Sequence, residues 1–373
     1  MSILSRRELL KASGAGIAAL AAGSGAAAAQ DSPATKPAAP KKERWKLCIN
    51  TSTIRPAPLE EKIAATAKAG YDGIELWSDD LAKYEKEGKS LEDLGKRLKD
   101  AGLEVPNIIG IWNSMPEDPA AKEKLFEDAK RRLAACAKVG AKHIAAIPAP
   151  DRPDMDVRWA AARYAELVDL GKPFGVGVAL EYGSYLKGIH TLGQAAAIVM
   201  EAGRPEGSIV ADTFHSYNGR SSWEGVRFLA GAAYAVWHIN DVPKECVAGQ
   251  SKDADRIYPG DGVMPLAQLL KDLWANGFRG PLSLEMFNRE EWKKPAQEIA
   301  RTGIEKMRAV IAKSGTGKRN QAKRTRGSPF RPRGWPTSGN LPRSCGRAAS
   351  PSKPSGTAAR PVPPRPPTCS PRP

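Results

Sequence analysis

Short apolar runs alternate with longer segments of helical periodicity along the chain, from residue 46 to residue 313. Apolar runs of this length, bounded by polar and turn-forming residues, are typical of buried strands, and the segments between them are long enough for helices. The runs predict eight strands, at 46–51, 72–77, 105–111, 142–147, 176–181, 207–212, 234–239 and 281–285. The intervening segments predict eight helices, at 58–69, 90–101, 118–139, 155–173, 191–202, 222–230, 264–276 and 293–313.

The arrangement of these elements indicates how the sheet is closed. Several of the helical segments end in glycine, the residue that commonly terminates a helix, at Gly70, Gly102, Gly140 and Gly277. Eight strand–helix units in succession predict a parallel sheet with right-handed crossovers, and eight strands can close into a barrel. An open doubly wound sheet would need a glycine-rich phosphate loop after its first strand, and residues 50–53 do not provide one. We therefore predict an α/β fold, a single (β/α)8 TIM barrel over residues 45–313.

The last four predicted strands each end in a side chain that can bind a metal ion. Neighbouring strands lie roughly 5 Å apart, so their end residues are expected to converge over one mouth of the barrel, where the reactive residues of such barrels lie. Carboxylates and an imidazole without a thiolate suit Mn²⁺, Mg²⁺, Co²⁺ or Zn²⁺. We predict that one divalent ion binds to these four residues, Glu181, Asp212, His238 and Glu285.

The formal net charge of +16 is concentrated at the C-terminal end of the chain. Residues 314–373 contain 13 of the 57 Lys and Arg residues and no Asp or Glu, so the preceding residues carry only about +3. The body of the protein is therefore close to neutral, and its charge gives no argument for a nucleic-acid partner. The same 60 residues contain 13 prolines and predict a disordered, basic Pro/Arg-rich tail. This tail is either a wall- or membrane-binding extension or sequence read in a wrong frame.

The N-terminal 29 residues have the features of an export signal. Residues 5–11, Ser-Arg-Arg-Glu-Leu-Leu-Lys, resemble the twin-arginine consensus, and residues 12–29 form an apolar segment that ends in an Ala-x-Ala cleavage site. Because this segment is mostly Ala and Gly, it is too weakly apolar to serve as a stable membrane anchor. We predict a cleaved twin-arginine signal peptide at 1–29, a linker at 30–44, and a periplasmic or other extracytoplasmic location. The five cysteines form no CxxC pair and predict neither a disulfide framework nor a zinc ribbon.

Six short motifs, taken in their order and spacing, resemble those of the xylose-isomerase-like TIM barrels. This superfamily includes sugar isomerases and epimerases, inosose dehydratases, hydroxypyruvate isomerases and endonuclease IV. The resemblance covers about residues 46–313. The motifs are Gly73-Ile74-Glu75-Leu76, Leu180-Glu181-Tyr182, Asp212-Thr213-Phe214-His215, His238-Ile239-Asn240-Asp241, Pro259-Gly260-Asp261-Gly262 and Leu284-Glu285.

The resemblance implies a role for each residue of the predicted site. In the ketose 3-epimerase branch, the residues that match the four predicted ligands bind the metal, and those that match Glu181 and Glu285 also transfer the proton. The residue that matches His215 binds a substrate oxygen. Metal-assisted removal of a proton next to a carbonyl gives an enediolate. Return of a proton from the opposite face epimerises the carbon, whereas its return to the neighbouring carbon gives aldose–ketose isomerisation, and the sequence leaves both outcomes open.

The chain departs from the patterns of two branches of this superfamily. Endonuclease IV-like members bind three metals and need histidines after the second and third strands, where this chain has Trp77 and Trp112. The epimerase branch usually has an arginine six residues after the histidine that matches His238, and this position is Lys244 here. Arg256 is then the candidate for the missing cation. We therefore expect Lys244 and Arg256 to bind substrate.

Four further residues lie near the predicted strand ends; three of them have two interpretations each, and Glu75 has a structural one. Trp77 and Trp112 end the second and third strands, where their rings either stack on a sugar or pack in the core. Glu75 lies two residues before a strand end and is interpreted as a structural acid inside the barrel. Asp241 either binds substrate or supports His238 from behind.

The sequence leads to a divalent-metal-dependent sugar isomerase or epimerase as the main functional hypothesis. The first alternative is a lyase or dehydratase that acts on a keto-sugar or keto-glycoside, because the same enediolate can expel a β-substituent. The second is an exported sugar-binding barrel without activity. The expected partner is a small carbohydrate and not a nucleic acid, and a homo-oligomer is compatible with the sequence.

Overall fold

Eight parallel strands form the centre of the molecule. The computed structural model describes residues 44–149 and 152–317. The strands pair in chain order and β1 also pairs with β8, so the sheet closes into a barrel. They are β1 (Leu47–Asn50), β2 (Gly73–Trp77), β3 (Ile108–Ile111), β4 (His143–Ala146), β5 (Gly177–Glu181), β6 (Ser208–Asp212), β7 (Tyr234–Ile239) and β8 (Leu282–Leu284). The predicted TIM barrel is confirmed, and each strand falls within its predicted range.

Nine α-helices accompany these strands within the described ranges. Seven of the eight predicted helices are present, with ends within three residues of the prediction. The helices are α1 (Leu59–Ala69), α2 (Ser78–Lys86), α3 (Leu91–Asp100), α4 (Pro119–Lys138), α5 (Val157–Gly171), α6 (Leu192–Ala202), α7 (Thr213–Asn218), α8 (Leu266–Ala275) and α9 (Ala296–Ser314).

The helix predicted at 222–230 is wrong. The segment forms only a short 3₁₀ turn, Glu224–Phe228, of which Val226 is the one buried residue. The residues that pack against the core, Trp223, Val226 and Leu229, are three positions apart, which suits a 3₁₀ turn rather than an α-helix, and Phe228 is 89% exposed. The helices α2 and α7 were not predicted, because each begins directly at the end of a strand without an intervening loop.

Side-chain caps fix where several helices begin. Asp118 and Asp156 each accept a backbone N–H from the first turn of the helix that follows. Thr191 and Gln194 form a reciprocal capping box at the start of α6. These caps satisfy N–H groups that would otherwise lack a partner at the helix ends nearest the strands.

Alternation along the strands separates the site from the core. Residues two positions apart on a strand point to the same side of the sheet. Ala179, Val210 and Val236 belong to a small apolar cluster, distinct from the larger core between sheet and helices. The residues two positions after them are Glu181, Asp212 and His238. The apolar cluster and these polar residues therefore lie on the same side of the sheet, the inside of the barrel.

The described chain ends close to where it begins. Helix α9 extends one residue past the predicted barrel end, and Thr316 beyond it is buried and accepts a hydrogen bond from Trp45 Nε1 at 2.9 Å. The predicted signal peptide, the linker up to residue 43 and the tail from residue 318 lie outside the described residues. Within the described ranges, no helix combines the length and the apolar character that crossing a membrane requires.

Candidate metal centre

Three of the four predicted ligands converge at the carboxyl ends of the strands. Glu181 ends β5, His238 lies in β7, and Glu285 directly follows β8. One ligand atom from each lies within 4.8 Å of the other two, and all three side chains are buried. In the described part of the chain, this is the one group of three or more His, Cys, Asp or Glu side chains arranged in this way.

Asp212, the fourth predicted ligand, adjoins this group but already has partners on both oxygens. Its Oδ2 lies 3.7 Å from His238 Nδ1 and 2.6 Å from Arg256 Nη1. Its Oδ1 accepts the backbone N–H groups of Phe214 at 2.6 Å and His215 at 3.3 Å. Asp212 therefore caps α7 and pairs with an arginine in the same place where it was predicted to bind a metal.

Two buried polar atoms in the group have no hydrogen-bond partner in the described structure, Glu181 Oε2 and His238 Nδ1. His238 Nδ1 lies 3.1 Å from Glu285 Oε2 and 3.6 Å from Glu181 Oε1. Unpaired buried polar atoms are costly, and carboxylate oxygens and an imidazole nitrogen that face one another suit a cation between them. The residues present therefore fit a divalent ion of the predicted kinds.

The acids of the site differ in how readily they ionise. Burial raises the pKa of Glu181 well above its ordinary value, and the nearby Glu285 adds to this. Burial also raises the pKa of Glu285, although His238 and Arg256 oppose the shift. Burial alone would raise the pKa of Asp212 too, but the Arg256 guanidinium lowers it well below its usual range. The two glutamates are therefore suited to carry a proton, whereas Asp212 stays ionised.

Arg256 lies inside the acid cluster, as the prediction of a cation near the site requires. Its side chain is 1% exposed. Nη1 donates to Asp212 Oδ2 at 2.6 Å and to Glu285 Oε2 at 2.8 Å, and Nη2 donates to Asp253 Oδ1 at 2.7 Å. The guanidinium lies 4.5 Å from the centre of the Phe214 ring. Arg256 thus neutralises two of the residues predicted to bind the metal.

His215 is buried next to this arginine. Its Nε2 lies 3.3 Å from Arg256 Nη2, and its Nδ1 is 3.0 Å from Ser184 Oγ and accepts the Ser184 backbone N–H at 3.3 Å. Burial lowers the pKa of His215 to about 4, and the Arg256 charge contributes. The imidazole is therefore neutral at pH 7, when it can both donate and accept a hydrogen bond.

The structure does not bring Lys244 to this cluster. The side chain of Lys244 is 83% exposed, and its Nζ lies 3.9 Å from the carboxylate of Glu245. Arg256, not Lys244, therefore lies at the predicted site.

Trp112 lies at the rim of the barrel mouth. Its side chain is 36% exposed, and its ring centre lies 5.8 Å from that of Trp77. Trp77 in turn lies 6.1 Å from the Phe287 ring and donates its Nε1–H to Asn50 Oδ1 at 2.8 Å. The half-exposed ring of Trp112 thus continues an aromatic wall that leads to the polar cluster.

Glu75 lies inside the barrel, as predicted for a structural acid, and contacts the site. Its Oε1 lies 3.0 Å from His238 Nε2, on the side of the ring away from the three carboxylates. Glu75 is fully buried. A sequence signal existed, because Glu75 lies two positions before the strand-end Trp77 and so points to the same face of the sheet.

Asp241 does not support His238 as one interpretation proposed. Its carboxylate accepts the backbone N–H groups of Gly260, Gly262 and Met264 at 3.0, 3.1 and 2.9 Å. A Cβ on Gly262 would lie 2.0 Å from the Val242 carbonyl oxygen, so only glycine permits this close approach. Asp241 thus anchors the turn at residues 259–262, which precedes α8.

Comparison with known proteins identifies the family of this barrel. Residues 63–310 match the family described as xylose isomerase-like TIM barrel. The inosose isomerase of Bacillus velezensis is 29% identical over 277 residues, which cover 72% of this chain and 98% of that enzyme. The 3-dehydroshikimate dehydratase of Pseudomonas aeruginosa is 28% identical over 259 residues, 66% of this chain but only 39% of that enzyme.

Solved structures agree on the fold. The IolI protein, whose crystal structure contains a bound zinc atom, superposes with a TM-score of 0.68 and 27% identity over 72% of this chain and 99% of its own. L-ribulose 3-epimerase superposes with a TM-score of 0.58 at 19% identity over 72% of this chain and 95% of its own, a likeness of fold alone.

Proposed function

Because the chain belongs to the xylose isomerase-like TIM barrel family, we propose that it is a divalent-metal-dependent enzyme that isomerises or epimerises a keto-polyol by enolisation. The observation that carries this proposal is the cluster of Glu181, His238 and Glu285, with two buried glutamates whose pKa values are raised. A carboxyl group with a raised pKa can both accept and return a proton near neutral pH.

The relatives support both the reaction class and the substrate class. Four inosose isomerases are 27–29% identical to this chain and are covered over 97–98% of their length. An inosose is a cyclic polyol with one carbonyl group, so its enolisation would need one acid–base pair and one electrophile. The zinc in the IolI structure supports a metal of the predicted kinds. We therefore propose a small neutral keto-sugar or cyclic keto-polyol as the substrate.

The residues of this chain supply the proton transfers. Glu181 removes the proton from the carbon next to the carbonyl, because its Oε2 is buried without a hydrogen-bond partner in the described structure. Glu285 directly follows β8, and Glu181 ends β5, three strands away around the barrel. This separation allows Glu285 to act from the other side of the substrate. Asn50 Nδ2 donates to Glu285 Oε1 at 3.0 Å and holds that carboxylate in place. When bound, a divalent ion supplies electrophilic stabilisation of the developing negative charge.

His215 and Arg256 position the substrate in this proposal. Because Nδ1 accepts the Ser184 backbone N–H, the neutral imidazole of His215 carries its hydrogen on Nε2 and can donate it to a substrate oxygen. Arg256 is held by Asp212 and Asp253, so its guanidinium is oriented before substrate binds. The aromatic wall that ends in Trp112 offers a face on which a ring can stack.

One observation favours a second candidate, a dehydratase. The 3-dehydroshikimate dehydratase of Pseudomonas aeruginosa matches 66% of this chain at 28% identity. After the same proton removal, loss of a β-hydroxyl group instead of return of the proton would give an unsaturated ketone. The reactions share their first step and differ in the product.

A substrate panel in deuterated solvent tests the proposal. The Mn²⁺- or Zn²⁺-loaded protein is incubated with ketoses, inososes and 3-dehydroshikimate, and products are followed by NMR. Deuterium at the carbon next to the carbonyl, in a substrate of unchanged formula, is the expected result. An unsaturated product that has lost water would support the dehydratase instead, and no exchange with any ketone would contradict both.

A further inference from the structure

Glu75 is the centre of a buried hydrogen-bonded layer beneath the candidate metal centre. Its Oε1 accepts from Asn107 Nδ2 at 2.6 Å and lies 3.0 Å from His238 Nε2. Its Oε2 accepts from Asn50 Nδ2 at 3.0 Å and from Ser283 Oγ at 2.8 Å. Glu75 and these four neighbours are all 0% exposed. The carboxylate thus has four polar neighbours and no contact with solvent.

The orientation of Asn50 shows that this carboxylate acts as an acceptor. Asn50 Oδ1 accepts hydrogen bonds from two groups that can only donate, Trp77 Nε1 at 2.8 Å and the Ser52 backbone N–H at 2.9 Å. The other atom of the amide, Nδ2, therefore points to Glu75 with a hydrogen. The carboxylate accepts on both oxygens from its other neighbours, so it also accepts the hydrogen of His238 Nε2.

The other ring nitrogen then determines which atom can bind a metal. With the hydrogen on Nε2, the lone pair of a neutral His238 ring is on Nδ1. This Nδ1 faces Glu285 Oε2 at 3.1 Å, Glu181 Oε1 at 3.6 Å and Asp212 Oδ2 at 3.7 Å. Among these carboxylate oxygens, Nδ1 either carries a second hydrogen or binds a cation.

We propose that Glu75 is a positioning residue that fixes the orientation and tautomer of His238, so that Nδ1 and not Nε2 is the ligand atom. This inference rests on the metal-binding part of the proposed function but not on any particular substrate. Carboxylates that support a metal-binding histidine in this manner typically contribute 10–100-fold to metal affinity. The alternative is that Glu75 only fills a buried polar space.

Two measurements separate these roles without any assay of turnover. The first is ¹⁵N NMR of the histidine rings in the Zn²⁺-loaded full-length protein, which has only four histidines. We expect His238 with a hydrogen on Nε2 and zinc on Nδ1. Zinc on Nε2 would overturn the proposal, and this test needs no variant that has to fold.

The second measurement is Zn²⁺ affinity by titration calorimetry for Glu75→Gln and Ser283→Ala. The glutamine has nearly the same shape, but it turns an amide NH₂ toward groups that donate hydrogen bonds. We therefore expect a 10–100-fold loss of Zn²⁺ affinity and changed ¹⁵N signals of the His238 ring. Ser283→Ala removes one hydrogen bond to Glu75 and leaves the His238 contact in place, so we expect a much smaller loss. Equal affinities in all three proteins would overturn the proposal. If the wild type binds zinc normally and shows the expected His238 tautomer but turns over no ketone, the proposal for Glu75 stands and the proposed reaction is rejected.

Discussion

At the scale of single residues, Arg256 pairs with carboxylates that the proposed divalent ion would also need. The guanidinium lies 2.6 Å from Asp212 Oδ2 and 2.8 Å from Glu285 Oε2. A fixed positive charge at this distance offsets the negative charge that would otherwise attract a metal. We therefore expect the arginine to stabilise the metal-free protein and to weaken the binding of a divalent ion.

The variant Arg256→Met should raise Mn²⁺ affinity by roughly tenfold, about 1.4 kcal/mol. The same change should destabilise the metal-free protein by about 3–5 kcal/mol, because it leaves buried carboxylates without their partner. Titration calorimetry and thermal unfolding with and without Mn²⁺ measure both effects. Lys244→Met is the matched control, because that cation is 83% exposed and lies outside the cluster. Weaker Mn²⁺ binding by Arg256→Met would contradict this view of the site.

His215 should make the metal-free protein sensitive to acid. Its folded-state pKa is lowered to about 4, below the value of about 6.5 expected in the unfolded chain. Between these two pH values the unfolded chain binds a proton at His215 that the folded protein does not bind. The stability that His215 contributes is therefore complete above about pH 6.5 and is lost as pH falls toward about 4. The loss amounts to at most about 3 kcal/mol. In His215→Asn, the difference between the unfolding free energies at pH 7 and pH 4.5 should shrink; an unchanged difference would show that His215 is not neutral in the fold.

At the scale of elements, the strand ends determined which features of the site could be predicted. Glu181, Asp212, His238 and Glu285 were found because each ends an apolar run, and the carboxyl ends of parallel strands meet at one edge. Glu75 was predicted to be a structural acid inside the barrel, but its contacts with His238 and Asn50 became visible only in the structure. The helix at 222–230 failed because its core-facing residues, Trp223, Val226 and Leu229, follow a spacing of three, which a 3₁₀ turn satisfies.

The turn at residues 259–262, which precedes α8, is expected to depend on one carboxylate for its stability. Asp241 accepts backbone N–H groups from Gly260, Gly262 and Met264. In Asp241→Asn the amide NH₂ would face N–H groups that also donate, so we expect a loss of about 2–3 kcal/mol in the free energy of unfolding. Asp261→Asn is the control in the same turn, because its pair with Lys306 is partly exposed and is worth at most about 1 kcal/mol. Equal losses in urea denaturation would show that the turn does not depend on Asp241.

At the scale of the whole molecule, closure of the barrel assembles the site from distant parts of the chain. Asn50 on β1 bonds to Glu285, 235 residues later, because β1 pairs with β8. The sequence predicts that such a barrel closes, but it does not indicate which side chains meet across the seam. For this reason the layer formed by Asn50 and Glu75 became visible only in the structure.

The proposed export of the protein also concerns the whole chain. The paired arginines Arg6 and Arg7 precede a weakly apolar segment, a pattern typical of twin-arginine signals. We expect Arg6→Lys/Arg7→Lys to remain in the cytoplasm as the uncleaved precursor, as judged by fractionation and mass. Replacement of Lys11 by Arg is the control that keeps the paired arginines. Normal periplasmic recovery of the double variant would reject this route.

The central claim is that Glu181 and Glu285 transfer a proton at a carbon next to a carbonyl, and solvent deuterium exchange tests it most directly. The comparison uses the Mn²⁺-saturated wild type, Glu181→Gln and Glu285→Gln with the ketone that the panel identifies. An amide cannot take up a proton near neutral pH, so each variant should lose at least 10²–10⁴-fold in exchange rate, about 3–5 kcal/mol, while calorimetry shows that Mn²⁺ still binds. If either metal-loaded variant exchanges deuterium at more than about a tenth of the wild-type rate, that glutamate is not a proton carrier.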